Sequence, residues 1–114
     1  MVIKTTILST KLEIAQGVTI QVGDVVGVSS GLAILADKNA QIPAIGFAKS
    51  VQEGIVYVQT EGKFANSEIG DDFWLGSNGS LVNSVPTFGV VQQIAKRVDN
   101  QNILITIDQT VIII

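Results

Sequence analysis

Two stretches of this chain repeat one another at a constant offset of 47 residues, which restricts the fold more than any other feature. Gly23-Asp24 recurs as Gly70-Asp71, Phe47-Ala48-Lys49-Ser50-Val51 as Ile94-Ala95-Lys96-Arg97-Val98, and Val56-Tyr57-Val58-Gln59 as Ile103-Leu104-Ile105-Thr106. Between these anchors, aligning Gly31 with Gly79 takes a one-residue insertion that a later deletion restores. Each copy carries the same local plan. A Gly-Asp turn opens a strand, Val25 to Val28 in the first copy and Phe73 to Leu75 in the second. A tight hairpin follows at Ser30-Gly31 and at Asn78-Gly79, and Asn-Gly favours the positive φ that both central positions of a type I′ turn need. A looser stretch with Pro43 or Pro86 leads to an Ala-Lys strand and then to a final Val/Ile-rich strand. Two such units give an internal duplication, with halves at about 17–62 and 64–109.

The remainder of the chain also reads as β. Val18 to Val22 alternates apolar and polar residues, and Ile55 to Thr60 and Ile103 to Ile107 are stronger strand candidates. No window sustains the i, i+3, i+4, i+7 spacing of a helix; the nearest, Asn83 to Val98, is interrupted by Pro86 and Gly89. Residues 1–12 hold no turn former and read as an extended N-terminal arm or an edge strand. Such an arm can lie on a neighbouring subunit and cover an exposed edge. Val111 to Ile114 is uniformly apolar and is expected in the core or between subunits. The expectation is an all-β fold: a small β-clip or barrel-like domain of short strands, with one body over 13–114 behind the arm.

Composition narrows the function. Hydrophobic residues make up 46% of the 114 and charged residues only 15%. A single small domain has too much surface to hide that apolar fraction, so part of it is expected at contacts with other chains. Seven basic residues, scattered except for Lys96-Arg97, against ten acidic ones leave a net charge of −3, which argues against nucleic-acid binding. There is no cysteine and no histidine, so thiol nucleophiles, thiolate metal sites and the usual neutral-pH base are missing. The beginning, Met1 to Lys4, lacks the pattern of a signal peptide, and no apolar run approaches the ~20 residues that span a bilayer. A soluble protein made in a cytoplasm, with no cofactor and no membrane partner, is the expectation.

Few residues could carry chemistry. Asp71-Asp72 with Glu68 is the one acidic cluster, but it lacks the regular alternation of oxygen ligands that a calcium loop shows, and a solvated turn explains it better. Asp24 occupies the matching turn without a second acid. Glu53 and Glu61 sit beside Gly54 and Gly62 at expected turns, with no sign of a shared pocket. Serines 29, 30, 77, 80 and 84 have no histidine to activate them, and no Ser-x-x-Lys is present. No metal site, catalytic residue or enzymatic activity is expected. Phe73 and Trp74 could stack on a sugar ring, but a subunit contact is the favoured reading.

The run from Gly70 to Ile107 resembles a segment of tailed-bacteriophage virion proteins: Gly70-Asp71, Phe73-Trp74-Leu75-Gly76, Asn78-Gly79, Pro86 and Val90-Val91-Gln92. The first copy is similar to the same theme in small head-decoration proteins, with its GDVV turn, its PAIGFA segment and a strand ending in Glu-Gly. Ile94-Ala95 departs from the family's usual Gly at that place. The resemblance spans about Gly17 to Ile107 and implies a virion structural protein. It would be a capsid decoration protein that stabilises the outer head shell, commonly as a homotrimer bound to the major capsid protein, or a head- or tail-fibre module recognising a host surface glycan or protein. The residues expected at the oligomer or capsid contact are Val2, Ile3, Ile7, Phe73, Trp74, Ile112, Ile113 and Ile114.

Overall fold

The computed structural model describes residues 9–108 and 111–114. Twelve strands follow in chain order: β1 Ser9–Glu13, β2 Val25–Ser29, β3 Leu32–Leu35, β4 Gly46–Gln52, β5 Ile55–Gln59, β6 Gly62–Ala65, β7 Asp72–Leu75, β8 Leu81–Val82, β9 Val90–Val91, β10 Gln93–Asp99, β11 Asn102–Ile105 and β12 Ile112–Ile113. The protein is all-β, with no helix among the described residues. Residues 9–12 take the edge-strand alternative, since they lie in β1 and pair antiparallel with β5 from Ser9↔Gln59 to Glu13↔Ile55. Val2, Ile3 and Ile7 lie outside the described residues.

Two five-stranded antiparallel sheets carry the fold, ordered β1-β5-β4-β2-β3 and β6-β11-β10-β7-β8. If β6, β7, β8, β10 and β11 are set against β1, β2, β3, β4 and β5, the two orders are the same. The starts of β2, β4 and β5 (Val25, Gly46, Ile55) and of β7, β10 and β11 (Asp72, Gln93, Asn102) are each 47 residues apart. The hairpins form as their turn chemistry dictates. Ser30-Gly31 and Asn78-Gly79 both have positive φ at the two central positions, and so does Glu53-Gly54 between β4 and β5. In the first sheet the edge strands meet again: Ile14 bridges Ala33 in parallel, and the Ala15 N–H donates to the Ala33 carbonyl at 3.0 Å. The sheet thus curls into a small barrel filled by Ile20, Val26, Ala33, Ala48, Val56 and Val58.

Val18 to Val22 does not join a ladder. Its alternation reports burial: Val18 and Ile20 pack on the barrel interior and Thr19 and Gln21 face outward. Val22 breaks the pattern at 65% exposure, because Val22 and Gly23 turn the chain into β2.

The halves are fused through one core and through backbone hydrogen bonds. Val25, Ala36, Ala44 and Phe47 from the first half pack with Phe64, Phe73, Leu75, Val90, Ile94 and Ile103 from the second. The tip of the β7–β8 hairpin enters the first half: the Gly79 N–H donates to Ala36 O at 2.7 Å, and Gly79 O accepts from the Val25 N–H at 2.8 Å. Gly79 has φ +76°, which disfavours a side chain, and an added Cβ would lie 2.8 Å from Leu35 Cδ2, so that leucine would have to shift. The Lys38 N–H donates to Gly76 O at 2.9 Å, and the Val90 N–H donates to Lys38 O at 2.9 Å. With a shared core and shared pairing, the two halves are expected to unfold as one cooperative unit.

Candidate functional site

The acidic turn is a structural element. Arg97, on β10, reaches across to the 66–71 loop and donates to main-chain carbonyls: Asn66 O at 2.6 Å, Gly70 O at 3.3 Å and also Glu68 O. Its guanidinium carbon sits 5.4 Å from the Phe73 ring centroid. Asp72 accepts from the Gln93 amide at 3.2 Å, and Asn83 donates to Ile69 O at 3.0 Å. Asp24, at the matching place, accepts from the Gln21 N–H at 2.8 Å. Among the described residues no group of three or more acids forms a metal-holding cluster. Glu53 sits in the β4–β5 turn while Glu61 follows the far end of β5. At ~3.3 Å per residue, the intervening strand sets their backbones on the order of 20 Å apart.

Asp99 closes the opposite hairpin. Its Oδ1 accepts from the Gln101 N–H at 2.8 Å and from Asn102 Nδ2 at 2.9 Å, and its Oδ2 lies 3.3 Å from Lys63 Nζ. These bonds to Gln101 and Asn102, followed by Lys63, lower the carboxyl from 3.8 to about 2. Between those values the unfolded chain binds the proton and the folded chain does not. The contribution is therefore complete above the unfolded pKa and is lost as pH falls through the folded one. In acid-unfolding curves, Asp99→Asn is expected to flatten the part of the acid limb between pH about 4 and about 2; an unchanged limb contradicts this assignment.

A cleft of about 660 Å³ lies where the halves meet, with Ala44, Thr60, Glu61, Gln92, Thr106 and Asp108 on its walls. Gln92, between β9 and β10, is the one buried polar residue among those described, at 2% exposure. Its Oε1 accepts from the Ala44 N–H at 2.8 Å, and its Nε2 donates to Ala44 O at 3.1 Å and Asp108 O at 3.0 Å. The side-chain amide thus supplies to Ala44 what a neighbouring strand would. Nothing in the sequence separates Gln92 from the other polar residues of strands, which by default face water; it belongs to the Val90-Val91-Gln92 motif, which carries no signal of burial. Thr106 has the opposite status, since its Oγ1 is buried without a hydrogen-bond partner among the described residues. Thr106→Val, which keeps the shape and removes the orphan hydroxyl, is expected to raise stability by about 1 kcal/mol in chemical denaturation. A loss of stability would show that the hydroxyl is used.

The residues expected at contacts separate into three groups. Phe73 is fully buried in the chain's own core, so its expected role as a contact residue is replaced by a packing role. Trp74, its neighbour on the other face of β7, is half-buried and lies across from Gln93 and Val82. Ile112, Ile113 and Ile114 are 58%, 54% and 68% exposed, so the chain's own core does not take them up. They run antiparallel to β9, with Ile112↔Val91 and Ile113↔Val90 in register. Phe88, which precedes the Gly89 paired with Ile114, is also more than half exposed, and Lys38 Nζ stands 3.6 Å from the Phe88 ring centroid. The sequence indicated the isoleucines as an apolar segment needing cover; the contribution of Phe88 depends on the pairing of Gly89 with Ile114, which has no local signature. What this end of the molecule presents is an exposed apolar surface beside the outer edge of β12. No protein-family model matches this chain, and no curated protein and no solved structure is significantly similar to it.

Proposed function

We propose that this chain is a structural protein of a tailed-phage virion, a capsid decoration protein that stabilises the outer head shell as a homo-oligomer and has no enzymatic chemistry of its own. The observation that carries the reading is the resemblance of the run from Gly70 to Ile107, with its matching first copy, to head-decoration segments. The apolar end around Ile112 to Ile114 supports assembly, because contacts of that kind, multiplied by symmetry, reinforce a shell with many individually weak interactions. We also propose that the two halves descend from one duplicated unit, a reading supported by the equal strand orders.

The test is add-back. Shells made without the protein should bind it saturably in co-sedimentation and then resist heating or osmotic shock better than bare shells. Failure to bind intact shells contradicts the decoration reading. The second reading, a fibre module recognising a host surface, is favoured by Phe88, an exposed aromatic on the loop before β9. It expects the protein to bind host cells or their surface glycans, with binding lost in Phe88→Ala.

A further inference from the structure

We infer that the open edge of β12 is a docking strand for a second copy of this chain, pairing antiparallel about a two-fold axis at Ile112. This deepens the assembly part of the proposed function and rests on that part alone, not on the virion reading.

The backbone sets the register. Gly89 and Ile114 exchange both of their hydrogen bonds, at 2.9 and 3.0 Å. In an antiparallel ladder such pairs alternate with pairs whose N–H and C=O groups point away from each other. Val90 follows this rule, since its N–H turns outward to Lys38 O. By the same alternation Val111 and Ile113 point their N–H and C=O away from β9, to the open edge of β12. One self-pairing satisfies both. If Val111 lies opposite Ile113 of the second copy and Ile113 opposite Val111, four inter-chain hydrogen bonds form and Ile112 meets Ile112 in the close, non-hydrogen-bonded pair on the axis. A one-residue slip loses that pairing.

Area and charge favour a second copy over other occupants. Phe88 and the three isoleucines, brought together by the Gly89–Ile114 pairing, expose on the order of 400 Å² of apolar surface on the two faces of this strand pair, within what the largest patch on a monomer reaches. That is about half of the roughly 800 Å² per partner of a standard interface, the rest being polar rim. Residues 83–91 and 111–114 contain no charged side chain, although the chain carries a net charge of −3. The strand residues themselves can therefore pair without opposing like charges, while the Lys38 ammonium is held 3.6 Å from the Phe88 ring centroid at the side of this surface. A two-fold contact of this kind builds a dimer, whereas the trimer that the family resemblance implies needs a head-to-tail contact.

The experiment is light scattering coupled to size exclusion, with analytical ultracentrifugation for the dissociation constant, on the full chain. The expected mass is twice the 12.0 kDa of one chain. Ile112→Lys sets two ammonium groups face to face on the axis. Ile113→Pro removes an N–H that by this alternation points away from β9, so the β9–β12 hydrogen bonds are kept. Each variant should weaken the dimer at least about 30-fold with an unchanged melting profile of the monomer. Ile69→Lys, at the 89% exposed Ile69 on the 66–71 loop, should leave the dimer intact. A wild-type monomer or trimer at tens of micromolar overturns the inference, as does a dimer that survives both edge variants. In either case the add-back result on shells stands or falls separately.

Discussion

Gln92→Leu is expected to lower the stability of the protein by about 3 kcal/mol, read as a drop of roughly 10 °C in melting temperature. Leucine fits the volume but leaves the Ala44 N–H, the Ala44 carbonyl and the Asp108 carbonyl without the partner that the amide supplies. Ala44 is itself only 4% exposed, so water reaches its backbone poorly and the lost bonds are not replaced. Gln92→Glu sharpens the test through pH. A carboxylate accepts from the Ala44 N–H but faces two carbonyl oxygens, so ionisation at that place is opposed. The Glu variant should be more destabilised near pH 7 than near pH 4, where the protonated acid can donate to one of the carbonyls. If Gln92→Leu melts like the unmodified protein, the amide is not what closes the junction between the halves.

Phe73→Ala is expected to cost about 3–5 kcal/mol, a large share of the ~5–15 kcal/mol that holds a domain of this size together. The ring is fully buried among residues of both halves and carries the Arg97 guanidinium on one side. Its removal leaves a cavity and also slackens the Arg97 clamp on the 66–71 loop. The measurement is chemical denaturation followed by tryptophan fluorescence, since Trp74 is the chain's only tryptophan and lies next in sequence. A stability loss under 1 kcal/mol together with a changed oligomeric state would mean that Phe73 serves a contact after all.

The parts of this fold that were legible in the sequence are those set by local chemistry. Asn78-Gly79 and Ser30-Gly31 form the hairpins that their preference for positive φ requires. The 47-residue offset coincides with the starts of three pairs of strands, because strand length and turn placement are encoded within each half. What escaped depends on partners remote in sequence. The extended run of Val18 to Val22 has the alternation of a strand, yet it packs on the barrel interior and pairs with no strand among the described residues. The side chain of Gln92 is directed inward by Ala44, 48 positions earlier. Phe73 and Trp74 look alike in composition, and only the sense of the β7 pleat decides that Phe73 enters the core while Trp74 stays half-exposed. The site was legible to the same degree: Ile112 to Ile114 stood out as an apolar run without charge, but its edge and its neighbour Phe88 emerge only from the pairing of β12 with β9.

Imaging of purified phage particles that encode the chain tests most directly whether it works as a shell component. The prediction is a regular β-rich density on the outer head surface at symmetry-related positions, into which the paired sheets fit, with the Ile112–Ile114 end buried at a protein contact. A bare shell, with the protein found on an appendage or outside the particle, contradicts it.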